Sequence, residues 1–212
     1  QVPTRDMIKN AEQIEKIKES AKINTAVLDE VAKHIKPGMT TEEINTIVHN
    51  FTVEHGAIPA PLGYGGFPKS VCTSINDQIC HGIPSEDDVL KEGDIVNVDV
   101  STIYNGYYSD ASRMFKIGEV SEEADRLVRV TKECMEMANV KPWIPMGIIG
   151  ATIQEHAHKN GYTVVRDFGG HGIGVDFHED PFVFHYGNEN DGVLMVPGMT
   201  FTIEPMINEG GY

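Results

Sequence analysis

Apolar residues at Ile14, Ile17, Ala21, Leu28, Val31 and Ile35 recur at helical intervals between residues 5 and 35, with charged residues on the opposite face. That period predicts an amphipathic helix, which Lys36-Pro37-Gly38 ends. Thr40-Thr41-Glu42-Glu43 carries a capping box, Thr40 with Glu43, so a second helix is predicted from there to about His55, closed by Gly56. Residues 59–70, rich in Pro and Gly, read as a loop. Short β-branched runs predict strands at 70–75, 95–102 and 107–115. Helical spacing returns over 121–138 and 146–159, and the last third reads as β-rich, with strands at 162–165 and 199–203.

The chain also repeats itself. Lys36-Pro37 recurs as Lys141-Pro142, Ile44 as Ile149, His55-Gly56 as Asn160-Gly161, Gly93 as Gly198, Asp99 as Glu204, and Gly106-Tyr107 as Gly211-Tyr212, every pair 105 residues apart. A shared offset at six places predicts a single domain, 1–212, built from two α+β halves of roughly 1–120 and 121–212. Asp99 and Glu204 are then equivalent carboxylates at the ends of equivalent strands.

Composition narrows the class. The 212 residues are 40% hydrophobic and 23% charged, an ordinary globular balance that sets aside disordered and fibrous chains. Lys and Arg number 17 against 32 Asp and Glu, a formal charge of −15 that repels phosphate backbones, so no DNA partner is expected. The excess fits either a solvated surface or carboxylates converging on a cation. Cys72, Cys80 and Cys134 are odd in number and form no C-x-x-C, so neither a disulfide framework nor a zinc finger is implied. The longest near-apolar run, 143–151, is broken by Pro145 and Gly147 and is too short to span a bilayer. No leader pattern opens the chain. The expectation is a cytoplasmic monomer without a membrane partner, with residues before Gln1 removed or outside this sequence.

Residues 94–110 read as a hairpin, because Asn105-Gly106 is a strong two-residue type I′ turn signal. Such a turn pairs Tyr104 with Tyr107, hence Ser101 with Asp110 and Asp99 with Ser112. Asp99 and Asp110 become diagonal neighbours on one face, roughly 7–8 Å apart between α-carbons. Two carboxylates on a Val- and Ile-rich hairpin need a compensating cation, and a metal ion supplies it. The alternative is a solvated face or a bulge that shifts the register. His171 stands among glycines in Phe168-Gly-Gly-His-Gly-Ile-Gly174, where the backbone can approach a bound group closely. One imidazole with several carboxylates, Glu204 among them, suits Mn²⁺, Fe²⁺ or Co²⁺, with Zn²⁺ also compatible. H-E-x-x-H and G-x-S-x-G are absent, and both glycine-rich stretches lack the third glycine of a dinucleotide site. His156 and His158, two apart on a predicted helix, are expected at the surface.

Asn97-Val-Asp99-Val, Tyr108-Ser-Asp110, Gly170-His171-Gly-Ile-Gly and Phe201-Thr-Ile-Glu204-Pro-Met resemble the metal-site motifs of type I methionine aminopeptidases. Phe67-Pro-Lys-Ser-Val-Cys72, Cys80-His81-Gly-Ile-Pro and Phe177-His178-Glu also match, so the resemblance runs from about residue 8 to the end. It implies the α+β pita-bread fold, two pseudo-twofold-related halves around a central dinuclear metal site. The implied activity is removal of the initiator methionine from nascent chains and peptides whose second residue is small, with transient ribosome contact. The implied cofactors are two divalent ions (Co²⁺, Mn²⁺, Fe²⁺ or Zn²⁺) and one monovalent cation. Asp99 would chelate one metal, Asp110 would bridge both, and His171 and Glu204 would hold the other, with a bridging hydroxide as nucleophile. Glu204 would shuttle the proton, His178 would hydrogen-bond the oxyanion, and His81 would contact the substrate amide nitrogen past the cut. Tyr64, Phe67, Cys72 and Phe177 match the family's apolar methionine pocket. Asn76 and Gln78 lie in the segment where the family binds the monovalent cation through main-chain carbonyls.

Two departures from the family pattern stand out. Trp143 occupies a turn position where the family has glycine, and Trp does not readily take a positive φ, so this turn is expected to differ locally. The family's second bridging Glu and an indole at the pocket mouth come from a strand beyond Tyr212. Four of five metal ligands are therefore expected here, with C-terminal strands missing and weak metal binding and turnover by this chain alone. The rival readings are an Xaa-Pro peptidase on the same fold and a catalytically impaired protein that binds peptide or a partner.

Overall fold

The computed structural model describes residues 1–210. The chain divides into two compact units, Glu15–Asp125 and Gln1–Ile14 with Arg126–Tyr212. No helix among the described residues is long and apolar enough to cross a membrane.

The unit Glu15–Asp125 holds most of α1 (Ala11–His34), then α2 (Thr41–Glu54) and four strands, β1 (Ile58–Pro59), β2 (Cys72–Ile75), β3 (Ile95–Tyr104) and β4 (Tyr107–Lys116). β1, β2 and β4 all pair antiparallel with β3, which makes β3 the spine of the sheet. Val27, Leu28 and Val31 of α1 and Ile44 and Val48 of α2 form one core with Val96, Val98 and Val100 of β3. Each such buried side chain contributes about 1.5–3 kcal/mol. Thr40 caps α2 by accepting the Glu43 N–H at 3.1 Å, as the capping box predicts. The apolar period misses two buried polar residues of α1. Asn24 donates to Val100 O at 2.7 Å and Ser20 to Thr102 O at 3.1 Å, so hydrogen bonds satisfy these groups inside the core.

The other unit holds α3 (Glu122–Glu136) from Arg126 on, α4 (Gly147–Lys159), β5 (Thr163–Val164), β6 (Gly170–Gly172), β7 (Glu179–Val183) and β8 (Ile207–Asn208). β5 pairs with β8 and β6 with β7, around a core that includes Val130, Ile149, Ile153, Tyr162 and Val183. His156 is not a surface residue: its ring nitrogen lies 2.8 Å from the Glu133 carboxylate, with the side chain 16% exposed, and ties α4 to α3. His158 is exposed. Residues 199–203 form no ladder strand, only single bridges at Met199 and Phe201. The reciprocal bonds that a ladder needs go instead to hydroxyls, from His171 N to Thr202 Oγ1 and from Thr200 Oγ1 to Ile173 O. Main-chain bonds are left one at a time, from Ile173 N to Thr200 O and from Thr202 N to His171 O.

The 105-residue repeat reappears as hydrogen bonding internal to each unit. Gly38 N donates to Leu90 O at 2.7 Å and Leu90 N to Met39 O at 2.8 Å. The counterparts, Trp143 N to Met195 O and Met195 N to Ile144 O, measure 2.6 and 2.9 Å. The β1–β3 register, Ile58 with Ile103 and Pro59 with Thr102, returns as Thr163 with Asn208 and Val164 with Ile207. Ile44 and Ile149 are both fully buried. The pair Gly106-Tyr107 with Gly211-Tyr212 falls outside the described residues. The turn at Trp143 does not depart from the pattern as expected. Trp143 takes φ 70°, close to the 89° of Gly38, because the bond to Met195 fixes the same turn. The residue is 68% exposed, so the cost is the left-handed backbone itself, about 1–2 kcal/mol.

Candidate metal centre

The hairpin register is the one expected from its turn. Asp99 faces Ser112, Ser101 faces Asp110 and Tyr104 faces Tyr107 without a bulge. Asn105 and Gly106 take φ 49° and 84°, the positive pair a type I′ turn requires. Asp99 and Asp110 are half-buried, and Ser101 Oγ donates to Asp110 Oδ1 at 3.1 Å. Cys72 pairs with Asp99 from β2. Burial, and then the charges of Asp99, Asp110 and Cys80, push its thiol up to about 12. Cys72 is therefore a neutral thiol beside these two carboxylates.

His171 is positioned by close backbone packing on both sides. A Cβ at Gly170 would lie 2.0 Å from Thr202 O, and one at Gly172 would lie 2.3 Å from Asp180 O. Only glycine fits at either place. His171 Nδ1 lies 2.9 Å from Gly172 O, which accepts its proton and leaves the neutral ring's lone pair on Nε2. Nε2 lies 3.6 Å from Glu204 Oε2. Two electron-rich atoms face each other, an arrangement stabilised by a cation or a shared proton. Buried Thr202 links the pair, accepting the His171 N–H at 3.1 Å and donating to Glu204 Oε2 at 3.2 Å. The Glu204 N–H donates to His185 Nε2 at 3.1 Å, and burial pushes the His185 imidazole down to about 4, so it is a neutral acceptor. A fixed imidazole tautomer beside carboxylate oxygens is a donor set that fits a divalent metal ion.

The remaining candidates are divided between the same two units. His178 is exposed, stacked on half-buried Phe177 at 4.3 Å, with its ring centroid 4.3 Å from that of His171. Tyr64, exposed, and Phe67, half-buried, close a tight loop through Gly63 N to Phe67 O and Phe67 N to Tyr64 O. His81 is exposed at φ 58°, a left-handed conformation that a non-glycine residue adopts at a cost and that is concentrated at functional loops. Asn76 and Gln78 are committed through their side chains, Asn76 to Asp94 and Ile95 and Gln78 to Ile75. Glu15–Asp125 thus gathers Asp99, Asp110 and Cys72 on adjacent strands, with Tyr64, Phe67, Asn76, Gln78 and His81 on the loops that flank β2. The other unit gathers His171, Phe177, His178 and Glu204 around β6. Sequence reasoning missed Thr202, His185 and the buried pair Lys9–Glu179, whose Nζ and Oε1 are 2.6 Å apart. Thr202 was findable, since it stands two residues before Glu204 on an extended segment and shares its face. His185, 19 residues from Glu204, carries no such signal.

Comparison with known proteins identifies the class. Residues 15–212 match the profile of metallopeptidase family M24. Methionine aminopeptidase A of Synechocystis sp. is 52% identical over 200 residues, which cover 93% of this chain and 79% of the relative. The crystal structure of methionine aminopeptidase from Rickettsia prowazekii matches with a TM-score of 0.94 at 47% identity, covering 97% of this chain and 83% of that one. The prolidase from Pyrococcus furiosus is more distant, with a TM-score of 0.77 at 25% identity over 94% of this chain and 57% of its own. The chain belongs to metallopeptidase family M24, with the methionine aminopeptidases, and it has their pita-bread fold.

Proposed function

We propose that this chain is a metal-dependent exopeptidase that removes N-terminal methionine from peptides and proteins with a small second residue. The observation that carries the reading is the fixed His171 tautomer, its Nε2 lone pair 3.6 Å from Glu204 Oε2, in a chain 52% identical to a methionine aminopeptidase. Asp99 and Asp110 with His171 and Glu204 would hold the divalent ions, and their mostly oxygen donors favour Mn²⁺, Fe²⁺ or Co²⁺. When bound, the metal supplies Lewis acidity towards the scissile carbonyl and a water of lowered pKa.

The chain's own groups do the rest. The Glu204 carboxylate takes the proton released from the attacking water and hands it to the leaving amine. His178, exposed and fixed by stacking on Phe177, donates a hydrogen bond to the carbonyl oxygen as it gains charge. His81 holds the amide nitrogen past the cut. Tyr64, Phe67, neutral Cys72 and Phe177 offer the aromatic and polarisable walls that suit a thioether. The net charge of −15 attracts a protonated α-amino terminus, which favours an exopeptidase.

Release of free methionine from Met-Ala-Ser, with the chain metal-free and then supplied with Mn²⁺ or Co²⁺, tests this directly. Release is expected only with metal. Prolidase-like structures at a TM-score of 0.77 motivate a second reading, so an Xaa-Pro dipeptide is run alongside. Cleavage of that dipeptide in preference to Met-Ala-Ser would replace the first reading with the second.

A further inference from the structure

Glu204 lies outside every strand ladder, and Pro205 after it has no N–H to continue one. Its main-chain N–H donates instead to a side chain, His185 Nε2, at 3.1 Å. His185 is fully buried, at 0% exposure. Because Nε2 accepts, the neutral ring carries its proton on Nδ1, and Nδ1 is buried with no hydrogen-bond partner among the described residues. A buried donor left unsatisfied is costly, so packing alone would be served better by an apolar side chain of similar size. What an apolar side chain cannot supply is the acceptor for Glu204. Thr202 meanwhile holds the carboxylate end of the same residue at 3.2 Å.

We infer that His185 is a positioning residue for Glu204: its Nε2 lone pair fixes the Glu204 peptide plane, while Thr202 fixes the carboxylate. Held at both ends, the Glu204 side chain keeps its direction towards His171 Nε2. This role rests on the reading of Glu204 as a metal ligand. It gives an energetic reason for a fully buried imidazole that sits 19 residues from the group it orients.

Two substitutions separate the acceptor from the packing. His185→Leu fills the space without an acceptor, and His185→Gln retains one. The measurements are Co²⁺ affinity, followed by the visible absorption of the bound ion, and the thermal midpoint of the metal-free chain. The expected result for His185→Leu is a loss of roughly tenfold or more in Co²⁺ affinity, the usual size of effect for a group orienting a ligand, with a midpoint within a few degrees of wild type. His185→Gln should recover most of the affinity. Wild-type Co²⁺ affinity in His185→Leu, or equal losses in both variants, would overturn the role and assign His185 to packing. Should His185→Leu fail to fold, His185→Met against His185→Gln decides the same question. Glu204→Ala serves as the control: wild-type Co²⁺ affinity there would overturn the ligand reading itself, a result distinct from failure of the His185 role.

Discussion

Asp99 and Glu204 occupy equivalent positions of the repeat, yet the two units hold them by different means. Asp99 sits inside a ten-residue strand with partners in both β2 and β4. Glu204 precedes a two-residue strand, β8, and is held by Thr202 and His185. The ends of the pattern coincide, since β5–β8 repeats the register of β1–β3. Between those ends, one unit uses continuous main-chain ladders where the other has single main-chain bonds supplemented by two side chains. A ladder distributes positioning over many bonds, so no single substitution moves Asp99. The Glu204 arrangement concentrates it in two, so its geometry is exposed to point mutation.

The largest effects should fall on the proposed ligands. Asp110→Asn and Glu204→Gln are each expected to lower kcat/KM for Met-Ala-Ser by on the order of a hundredfold or more, because in the proposed mechanism each removes a charge that would hold the metal and, for Glu204, the group that would move the proton. An effect under tenfold at either position would remove that residue from the site. Next come the cores. Ile44→Ala and Ile149→Ala, fully buried counterparts, should each cost about 2–5 kcal/mol in urea unfolding. A loss confined to one of them would show that the two units differ in packing as well as in strand pairing.

The comparison is tested most sharply by two hydroxyls that do the same job in the two units. Ser101 donates to Asp110 and Thr202 to Glu204. Thr202→Val should weaken Co²⁺ binding by about tenfold. Ser101→Ala should change it by less than about threefold, because the β3–β4 ladder keeps Asp110 in place without it. Equal losses would show that the two carboxylates are held alike. The smallest effects concern the matched turns. Gly38→Ala should cost about 1 kcal/mol at φ 89°, where nothing crowds the added carbon, and Trp143→Gly should gain up to about 1 kcal/mol by relieving φ 70°. Thermal midpoints moving in opposite directions would confirm that both turns demand the same backbone.

Much of this was legible along the chain. The hairpin register followed from Asn105-Gly106, since a two-residue turn admits one pairing and strands alternate strictly. The Thr40 cap followed from a local bond three residues long. The offset of 105 pointed to counterparts that share main-chain hydrogen bonds, among them the turns after Lys36-Pro37 and Lys141-Pro142. Residues 199–203 carry an equally good strand pattern but form no ladder, because the return bonds a ladder needs go to the hydroxyls of Thr200 and Thr202. Trp143 was misjudged for a related reason: the bond to Met195, 52 residues away, decides its conformation, and intrinsic preference does not.

By itself, then, the sequence determined the helices, the hairpin with its two aspartates, the glycine-flanked histidine and the family resemblance. These depend on local periods, turn chemistry and short motifs, whose energies act within a few residues. Only the tertiary structure decided that His156 is tied to Glu133, that Lys9 is buried against Glu179, and that His185 and Thr202 hold Glu204 at its two ends. Those choices are set by which distant donors and acceptors are excluded from water together, and buried polar groups must find partners wherever the fold brings them.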